Sequence, residues 1–523
     1  MEYGLSASLK IYSGGLGILA GDHLKAAKEA GLPLVAIGLK WKQGYVEQSL
    51  TPDGEVIDSY KNMIYDQLED TGITVYVTIR EDRVPVKVWK TEAYGNALLY
   101  LLDTDIPGSA YGWVTRQLYG GSEEERVAQE IVLGVGGIET LKALDIAVTT
   151  YHFNEGHAVL AGIALIREKM QSGFSFMEAL EKTRRQIVFT THTPVPAGNE
   201  SHPIARMRYM GAHQGLSIEQ LAAIGGTPFN MTVAGLRLSR RTNTVAALHL
   251  QTTRSLWRHI QDRAPLINIT NGVHTGTWMD PDFQQKTLIP QKVGETHLKN
   301  KKRLITCIKG KTGITLNSNV LLIGFARRAT PYKRTDLIFS QMDKIVPLLK
   351  EKRCQLLFAG KAHPMDQKGK EILSRLNHYQ QQYPDSVIFL EGYDMDIGAL
   401  MTRGCDVWLN NPQRPKEACG TSGMKAAMNG VLNLSILDGW WPEVCRHGEN
   451  GWAIGDETVP ETETEQDRRD ADALYEVLTN EVLPLYENDR KKWTEMMLSS
   501  IQDTRDAFSA ERMVLEYSRK MYR

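Results

Sequence analysis

The sequence predicts an α/β protein of at least two domains, with a doubly wound parallel sheet in its second half. The chain has 523 residues, more than one domain usually contains. From residue 319 onward, apolar runs alternate with helical patterns at close to the roughly 30-residue spacing of a βαβ unit. These runs are VLLIGFA (320–326), CQLLFAG (354–360), SVIFLEGY (386–393), DVWLNN (406–411) and VLNLSIL (431–437).

Composition and charge exclude several classes of partner. Hydrophobic residues make up 42% and charged residues 24%, the values of an ordinary soluble globular protein. The net charge of −1 gives no reason to expect nucleic acid or an anionic membrane as a partner. No apolar run approaches the roughly 20 residues that span a bilayer. The five cysteines form no CxxC pair and no signal peptide is evident, which predicts reduced thiols and a cytoplasmic location.

The chain begins with a glycine turn at the start of a helical pattern. Gly14, Gly15 and Gly17 precede the periodic residues of segment 10–31. A helix start rich in glycine lets backbone N–H groups approach a ligand, although such turns recur in many α/β folds. The following segments predict strands at 34–41 and 73–79, a hairpin at 84–102 with its turn near 94–96, and an amphipathic helix at 123–144.

Two strands in this half end in polar side chains. The strand at 147–153 runs into a helix at 154–170, and this places Asn154, Glu155 and His157 at the strand end, where open α/β sheets bind ligands. His157 is either a functional residue or a hydrogen-bonded structural histidine. A zinc site is not expected, because no partner stands at HExxH spacing. The strand at 186–199 ends similarly, at His192, Pro194, Pro196 and Gly198.

Three further segments are predicted from their composition and periodicity. Segment 230–257 has a helical pattern in which Arg240, Arg241 and Asn243 are grouped. The basic run at 297–303 predicts a solvated helix, and the acidic stretch at 456–472 predicts a solvated loop.

The stretch EACGTSGMKAAMNG (417–430) lies between two predicted strands. Gly420, Thr421 and Ser422 precede a short helix that carries Lys425. Such a turn can bind an anion, and the lysine can pair with a phosphate or form a Schiff base with an aldehyde cofactor. A tight turn whose glycines only relieve crowding is the alternative.

Four cations follow the first strand of the predicted parallel sheet. In FARRATPYKR (325–334) they are Arg327, Arg328, Lys333 and Arg334. This position favours a multiply charged anion, and a surface patch is the alternative. Unpaired cations in a cleft repel one another unless a ligand offsets the repulsion, which favours the anion site.

Eight motifs together resemble one family, in the order of that family and over nearly the whole chain. They are SGGLGILA, FNEGHAVLAGIALIRE, NMTVAGLRLSRRTNTVAALH, TNGVHTGTW, FARRATPYKR, FAGKAHP, VIFLEGY and EACGTSGMKAAMNG. The sequence resembles the α-glucan (glycogen, starch or maltodextrin) phosphorylases, most closely their short bacterial and archaeal members. The last motif is similar to the family's EASGTGNMK string around its cofactor lysine. The resemblance implies the glycosyltransferase B-type fold, in which two Rossmann-like domains face a cleft, followed here by C-terminal helices.

The resemblance also implies a cofactor and its ligands. Pyridoxal 5′-phosphate would form a Schiff base with Lys425. The residues implied to hold its phosphate or to line its pocket are Gly420, Thr421, Ser422, Arg327 and Tyr393.

The implied reaction is phosphorolysis of a terminal α-1,4-linked glucose to glucose 1-phosphate, with retention. In the family the cofactor phosphate donates and accepts the proton, so no pair of catalytic carboxylates is needed. Inorganic phosphate would bind Arg328, Lys333 and the Gly15 amide. Glucose would bind His157, Asn243, Glu417 and the backbone of Leu16, Cys419 and Gly420. Lys425, Arg328, Lys333 and His157 are the implied catalytic residues.

The sequence departs from the family pattern at several positions. Arg327 stands where the family commonly has lysine, and Cys419 replaces a serine. Ala329, Thr330 and Pro331 replace the Ile-His-Glu of the animal enzymes. Relatives usually have a strand before the residues that match MEYGL, so that strand is expected to be missing or supplied otherwise. The phosphorylation segment and nucleotide-site elements of the animal enzymes are absent, and no such regulation is expected.

The expected domains are residues 1–295 for glucan and phosphate, 296–490 for the cofactor, and 491–523 as helices packing back across both. The expected partners are an α-1,4-glucan with phosphate or glucose 1-phosphate, and other copies of the chain in a homo-oligomer.

One alternative function is that of a nucleotide-sugar glucosyltransferase such as glycogen synthase. Many of these carry a second glutamate eight residues after the first, where this chain has Lys425. The other alternative is a catalytically inactive glucan-binding protein.

Overall fold

The computed structural model describes residues 1–195, 198–285 and 287–523, so Pro196 lies outside the described residues. The chain forms two compact units. The first contains Met1–Tyr45, Tyr60–Thr270 and Met513–Arg523, and the second contains Val46–Ser59 and Asn271–Arg512. The sequence places the main division at residue 295, and the roles assigned to the three segments remain a prediction.

Among its described residues, the first unit contains two four-stranded sheets, a two-stranded sheet, eight helices and part of a ninth. Its strands are β1 (Ala36–Leu39), β4 (Glu69–Ile79), β5 (Asp82–Thr91), β6 (Leu99–Asp103), β7 (Tyr151–Asn154), β8 (Ile187–Thr190), β9 (Ser201–His202), β10 (Phe229–Asn230), β11 (Arg241–Thr244) and β12 (Leu266–Asn268). Its helices are α1 (Gly15–Glu29), α2 (Glu123–Ala143), α3 (Leu160–Gln171), α4 (Phe176–Arg184), α5 (Ile204–Met210), α6 (Ile218–Gly225), α7 (Met231–Leu238) and α8 (Ala247–Leu256), with the last part of α18 (Ala510–Lys520).

One sheet of this unit is mixed, with strand order β1-β6-β5-β4, and the other is fully parallel, with order β12-β11-β8-β7. The predicted hairpin is confirmed, because β5 and β6 pair antiparallel. The predicted helix at 123–144 is α2, and a Cβ at Gly134 would lie 2.6 Å from the backbone nitrogen of Ala161. The glycines of α2 therefore allow it to pack closely against α3.

The second unit contains a six-stranded sheet that is parallel throughout. The strands of this sheet are β13 (Leu321–Ala326), β14 (Cys354–Ala359), β15 (Val387–Leu390), β16 (Val407–Asn410), β17 (Leu432–Ile436) and β18 (Gly451–Ile454). Two further strands, β2 (Glu47–Leu50) and β3 (Val56–Ser59), form a separate antiparallel pair. Its helices are α9 (Thr275–Trp278), α10 (Pro290–Thr312), α11 (Met342–Lys350), α12 (Gln367–Gln382), α13 (Met395–Gly404), α14 (Thr421–Ala427), α15 (Glu463–Val477), α16 (Leu483–Asn488) and α17 (Arg490–Thr504).

The sheet order β15-β14-β13-β16-β17-β18 confirms the parallel sheet predicted from the apolar runs. Every residue of β13, β14, β16 and β17 is buried, as expected for strands that helices cover on both faces. Strand β18 was not predicted. The chain is thus an α/β protein with parallel sheets and many helices. No helix in the described ranges is long and apolar enough to cross a membrane.

The prediction of one helix over 230–257 was wrong. Strand β11 lies between α7 and α8 and pairs with β8 and β12 on its two sides. Thr242 and Thr244 are fully buried in this strand. Their β-branched side chains favour extended backbone, and burial in the centre of a sheet outweighs the helical periodicity of the flanking residues.

The prediction of a solvated loop over 456–472 was also wrong in its second part. Helix α15 begins after Thr462, whose side chain accepts a hydrogen bond from the Glu465 amide. Asp467 and Asp470, three residues apart and so on one face of this helix, both accept hydrogen bonds from Arg334. The acidic residues form a helix here because a buried cation binds two of them.

Buried polar residues join α10 to the parallel sheet. The helix predicted at 297–303 is confirmed, but Lys301 is only 1% exposed rather than solvated. Its Nζ contacts Asp406 at the start of β16 at 2.5 Å and Tyr486 of α16 at 2.9 Å. Asp406 also accepts hydrogen bonds from His297 and from the Leu322 amide of β13. One carboxylate therefore connects α10, β13, β16 and α16.

Candidate functional site

The residue predicted to bind the cofactor, Lys425, lies on α14, directly after the loop that follows β16. Its side chain is 7% exposed, and its Nζ lies 3.4 Å from the centroid of the Trp278 ring. Gly420 precedes the helix with φ +84°, and a Cβ there would lie 3.0 Å from Arg327 Nη2. Only glycine adopts this left-handed backbone readily and leaves room for the guanidinium.

Arg327 and Ser422 lie together at the start of α14. Arg327 Nη2 donates to Ser422 Oγ at 3.2 Å, and Trp408 Nε1 donates to the same oxygen at 3.2 Å. The Arg327 side chain is buried, and no described residue accepts a hydrogen bond from its Nε. A buried donor without an acceptor costs free energy, so this position favours an additional acceptor such as a phosphate oxygen.

Glu417 lies between two of the predicted cations. Its Oε2 accepts hydrogen bonds from Arg327 Nη1 at 2.5 Å and from Lys333 Nζ. Burial acts to raise the pKa of Glu417, but the charges of Arg327 and Lys333 outweigh burial and hold that pKa at about 2. The expectation that these cations lack a partner was therefore wrong for Arg327 and Lys333, which share one carboxylate.

The other two cations of this segment have different surroundings. Arg334 is buried and donates to the carbonyl oxygens of Asn411 and Pro412 and to Asp467 and Asp470. These contacts make Arg334 a structural residue, which fixes α15 against the loop after β16. Arg328 is exposed, so its guanidinium can reach a ligand in solvent.

Asp438 supports Glu417 and was not among the predicted site residues. It follows β17, and its Oδ2 accepts a 2.9 Å hydrogen bond from the Glu417 amide. The Gly439 amide donates to its Oδ1 at 2.8 Å. Burial raises the pKa of Asp438 to about 7. A polar residue at the carboxyl end of a parallel strand is the sequence signal that identifies this position.

Tyr393 and Cys419 are two further predicted site residues in the second unit. Tyr393 follows β15 and is partly buried, and burial raises the pKa of its hydroxyl to about 12. Cys419 is 4% exposed, and its carbonyl oxygen accepts from the Trp440 amide at 3.0 Å. Burial raises the pKa of the Cys419 thiol well above its usual range, so this thiol is not a nucleophile.

In the first unit, His157 lies in a single helical turn just after β7. Its Nδ1 is 3.0 Å from Arg126 Nη2, and its Nε2 is 3.5 Å from the Tyr119 hydroxyl. Burial and then the charge of Arg126 lower the pKa of His157 well below its usual value. The imidazole is therefore neutral near pH 7, and its Nδ1 accepts the hydrogen bond from Arg126.

Glu130, His157 and Glu200 place three potential metal-ligand atoms within 4.8 Å of one another. Arg126 contacts all three residues, with 2.8 Å between its Nε and Glu200 Oε1 and 3.7 Å to Glu130 Oε1. The guanidinium supplies the positive charge that a metal ion would bring. The prediction that no metal is bound remains a prediction.

Asn243 lies on β11 and is fully buried. Its Oδ1 accepts from Thr190 Oγ1 at 2.5 Å, and its Nδ2 donates to the Tyr517 hydroxyl at 3.0 Å. Both Nδ2 hydrogens are used, since this nitrogen also donates to the Thr244 carbonyl oxygen, so a glucose hydroxyl could bind without replacing a partner only by donating to Oδ1. The sequence does not reveal this contact, because Tyr517 is 274 residues away.

Gly15 and Leu16 form the first turn of α1. Gly15 is exposed, and a Cβ added there would meet no atom within 4 Å. The N-cap residue Gly14 provides no side-chain hydrogen bond, so the first amides of this helix remain available to a ligand.

The structure brings Arg327, Lys333, Glu417, Ser422 and Gly420 together in the second unit. His157 and Asn243 lie in the first unit, after β7 and on β11, each with its own hydrogen-bond partners. Sequence reasoning missed Arg126, Trp278, Trp408 and Asp438, all of which contact predicted site residues.

This chain is similar to known carbohydrate phosphorylases. A family model described as carbohydrate phosphorylase matches residues 281–478. The maltodextrin phosphorylase of Thermococcus litoralis is 40% identical over all of this chain and 70% of its own length. The glycogen phosphorylase of Aquifex aeolicus is 36% identical over all of this chain and 85% of its own length. An uncharacterized protein of Methanocaldococcus jannaschii is 34% identical over all of this chain and 98% of its own length.

Proposed function

This chain belongs to the carbohydrate phosphorylase family, and from that premise we propose that it transfers the terminal glucose of an α-1,4-glucan to inorganic phosphate, releasing glucose 1-phosphate. The names of the full-length relatives support this activity. The structural observation that carries the proposal is the cluster of Arg327, Lys333 and Glu417 beside the turn that holds Lys425. The proposal includes the glycosyltransferase B-type fold, supported by a parallel sheet in each unit.

The residues around α14 fit pyridoxal phosphate as the cofactor. Lys425 would hold the aldehyde carbon through its Nζ, and Tyr393 would line the pocket of the ring. Arg327, with its Nε lacking an acceptor, would hold the cofactor phosphate together with Ser422 and the amides after Gly420. When bound, the cofactor supplies a phosphate that can donate and accept a proton.

The cations of this unit serve the substrate phosphate. Arg328, exposed to solvent, and Lys333, at the edge of the cluster, are the residues that we assign to inorganic phosphate. Two phosphate groups side by side repel one another, and Arg and Lys side chains in a site shielded from water offset that repulsion. Glu417 balances the charges of Lys333 and Arg327. It would also accept a hydrogen bond from a glucose hydroxyl, with the backbone at Cys419 and Gly420 as further contacts.

The first unit contributes residues to glucose recognition. We assign His157 and Asn243 to glucose hydroxyls, with the backbone of Gly15 and Leu16 as donors to phosphate or sugar oxygens. Burial and the charge of Arg126 keep His157 neutral, and its Nδ1 accepts from Arg126, which leaves Nε2 with the proton. His157 would then donate a hydrogen bond through Nε2 without titrating.

The test combines an absorbance spectrum with an activity assay on the purified full chain. We expect a visible absorbance band from the lysine-bound cofactor and phosphate-dependent release of glucose 1-phosphate from maltodextrin. Lys425→Ala should lose both. Lys416→Ala is the matched control, because Lys416 lies in the same segment but forms an exposed ion pair with Glu463. A colourless parent protein without phosphate-dependent release would contradict the proposal.

A further inference from the structure

Glu155, directly after β7, is a buried carboxylate to which the proposed reaction assigns no role. Its backbone has φ +67° and ψ 175°, a combination that almost only glycine adopts, because a Cβ there crowds the neighbouring backbone. The residue is therefore strained. Strain of this kind persists only where the surroundings hold the residue in place, and it is concentrated at functional sites.

Hydrogen bonds of its backbone and side chain hold Glu155 in this conformation. Its amide donates to the Thr190 carbonyl oxygen at 2.9 Å, which extends the pairing of β7 with β8 by one residue. Its Oε2 accepts from the His192 amide at 2.7 Å and from Thr193 Oγ1 at 3.2 Å. A glycine would adopt the same φ without strain but has no carboxylate, so the bonds of the side chain explain the glutamate.

Asn154 strengthens the same connection. Its Oδ1 accepts from His192 Nε2 at 2.6 Å, while the Glu155 carboxylate accepts from the amide of that histidine. Burial lowers the pKa of His192 to about 3, so this imidazole is neutral near pH 7. Two consecutive residues at the end of β7 thereby bind both the side chain and the backbone of one residue after β8.

The Glu155 carboxylate also begins the turn that carries His157. Its Oε1 accepts from the Gly156 amide at 3.3 Å, which makes Glu155 the N-cap of the single turn Gly156–Ala158. The turn packs closely on α7, since a Cβ at Gly156 would lie 2.8 Å from Met231 Cβ. The turn is therefore held between the Glu155 carboxylate and α7.

The imidazole of His157 extends from this turn toward Arg126 and Tyr119. Its Nδ1 is 3.0 Å from Arg126 Nη2, and its Nε2 is 3.5 Å from the Tyr119 hydroxyl. Tyr119 has φ +58°, so a second non-glycine residue with left-handed backbone lies beside the imidazole. His157 is half-buried and Glu155 is 8% exposed. A ligand can therefore reach His157, whereas Glu155 acts on it from behind.

We propose that Glu155 is a positioning residue, whose strained backbone and carboxylate hold the His157 imidazole in the orientation that presents Nε2 to a glucose hydroxyl. This role rests on the proposed function, in which His157 binds glucose. A hydrogen bond weakens steeply when its angle falls below about 120°, so a small rotation of the turn would remove the bond to the sugar.

A double-mutant cycle on the full chain tests this role. Glu155→Gln keeps the size of the side chain but leaves one acceptor oxygen for donors that now bind two. It should lower kcat/KM for maltodextrin phosphorolysis by about tenfold, as the loss of the His157 bond itself does. In the His157→Gln background the same change should lower kcat/KM by less than about twofold, because the group that Glu155 positions is already absent.

Asp103→Asn is the matched control for the cycle. Asp103 is another buried carboxylate of the first unit, and its Oδ1 accepts from the Asp105 amide at 2.9 Å. Any effect of this change reflects stability alone, so its fold-change should be the same in the parent and in the His157→Gln background.

The ¹⁵N signals of the His157 ring provide a measurement that needs no turnover. They are identified by their absence from His157→Gln and report which ring nitrogen carries the proton. We expect the proton on Nε2 in the parent and a mixture of both tautomers in Glu155→Gln, because the turn no longer holds Nδ1 against Arg126. If Glu155→Gln does not fold, Glu155→Asp replaces it, since it keeps the charge but shortens the reach of the carboxylate by one methylene.

Unchanged ¹⁵N signals, or a fold-change in kcat/KM that is equal in the two backgrounds, would overturn the proposal. A parent protein without phosphate-dependent release of glucose 1-phosphate would instead contradict the proposed function. In that case the ¹⁵N signals alone decide whether Glu155 positions His157.

Discussion

Arg327 and Glu417 form a buried ion pair, with 2.5 Å between Nη1 and Oε2, and Lys333 binds the same carboxylate oxygen. Two cations on one carboxylate leave a net positive charge in a buried place. A phosphate ion brought to this cluster meets that excess charge, while the carboxylate prevents the two cations from repelling each other. Under the proposed function, the same three side chains would serve both the stability of the protein and its affinity for phosphate.

Glu417→Gln should destabilise the protein by about 3–5 kcal/mol in phosphate-free buffer, because it leaves two buried cations without a counter-charge. Added phosphate should raise the stability of this variant more than that of the parent. Urea unfolding with and without phosphate measures both effects. Glu463→Gln, which breaks the exposed pair with Lys416, is the control and should cost less than about 1 kcal/mol. Equal loss in the two variants would contradict the role given to the buried cluster.

The stability contributed by Glu417 should depend on pH. Its folded-state pKa of about 2 lies below the value of about 4.3 for an unfolded glutamate, so the contribution is complete above the unfolded value. It is lost as pH falls from about 4.5 toward 2. The difference in unfolding free energy between parent and Glu417→Gln should therefore be constant from pH 7 to 5 and shrink below pH 4.5. A difference that shrinks between pH 7 and 5 would show that another group dominates.

Variants of Arg334 and Arg328 should distinguish a residue needed for stability from one needed for phosphate binding. Arg334→Lys cannot make the four hydrogen bonds of the buried guanidinium and should lower stability by about 2–4 kcal/mol, with no rescue by phosphate. Arg328→Lys, at an exposed position, should leave stability within about 0.5 kcal/mol and raise the KM for phosphate. Thermal unfolding and phosphate titrations of the two variants test this contrast. Phosphate rescue of Arg334→Lys would contradict the structural role.

His157→Gln should lower kcat/KM by about tenfold, the effect of losing one well-placed hydrogen bond. The pH profile of the remaining activity should keep its shape between pH 5.5 and 8. The reason is that burial and the charge of Arg126 lower the pKa of His157 well below its usual value, so the parent imidazole is already neutral near pH 7. The comparison requires pH–rate profiles of parent and variant at saturating phosphate. A profile whose acid limb disappears in the variant would show that His157 does titrate.

Five of the six strands in the parallel sheet of the second unit were predictable because each is a short, mainly apolar run. Strand β11 was not, since Thr242 and Thr244 lie between two helical patterns and only their tertiary neighbours make them extended. The acidic residues that form the first half of α15 were misjudged for a similar reason. Their partner, Arg334, lies more than 130 residues earlier in the chain.

The types of residue in the candidate site were predictable from the sequence, but the ion pairs among them were not. Lys425 and the turn at Gly420 follow from local sequence, and the φ of +84° at Gly420 explains the glycine. The pairing of Glu417 with Arg327 and Lys333 joins residues 84 to 90 positions apart. The supporting contacts of Trp278 with Lys425 and of Asp438 with the Glu417 amide likewise depend on how distant strand ends meet.

The buried carboxylate of Asp406 limits where this chain can be joined to a relative in a chimera. It binds Lys301 and Tyr486, which come from helices on either side of it in sequence. A chimera with a crossover between residues 301 and 406 takes the lysine from one parent and the aspartate from the other. Such a hybrid folds only if both parents use the same pair, because a buried charge without its partner costs several kcal/mol. Crossovers before residue 297 or after residue 486 keep the whole group in one parent and are the safer junctions.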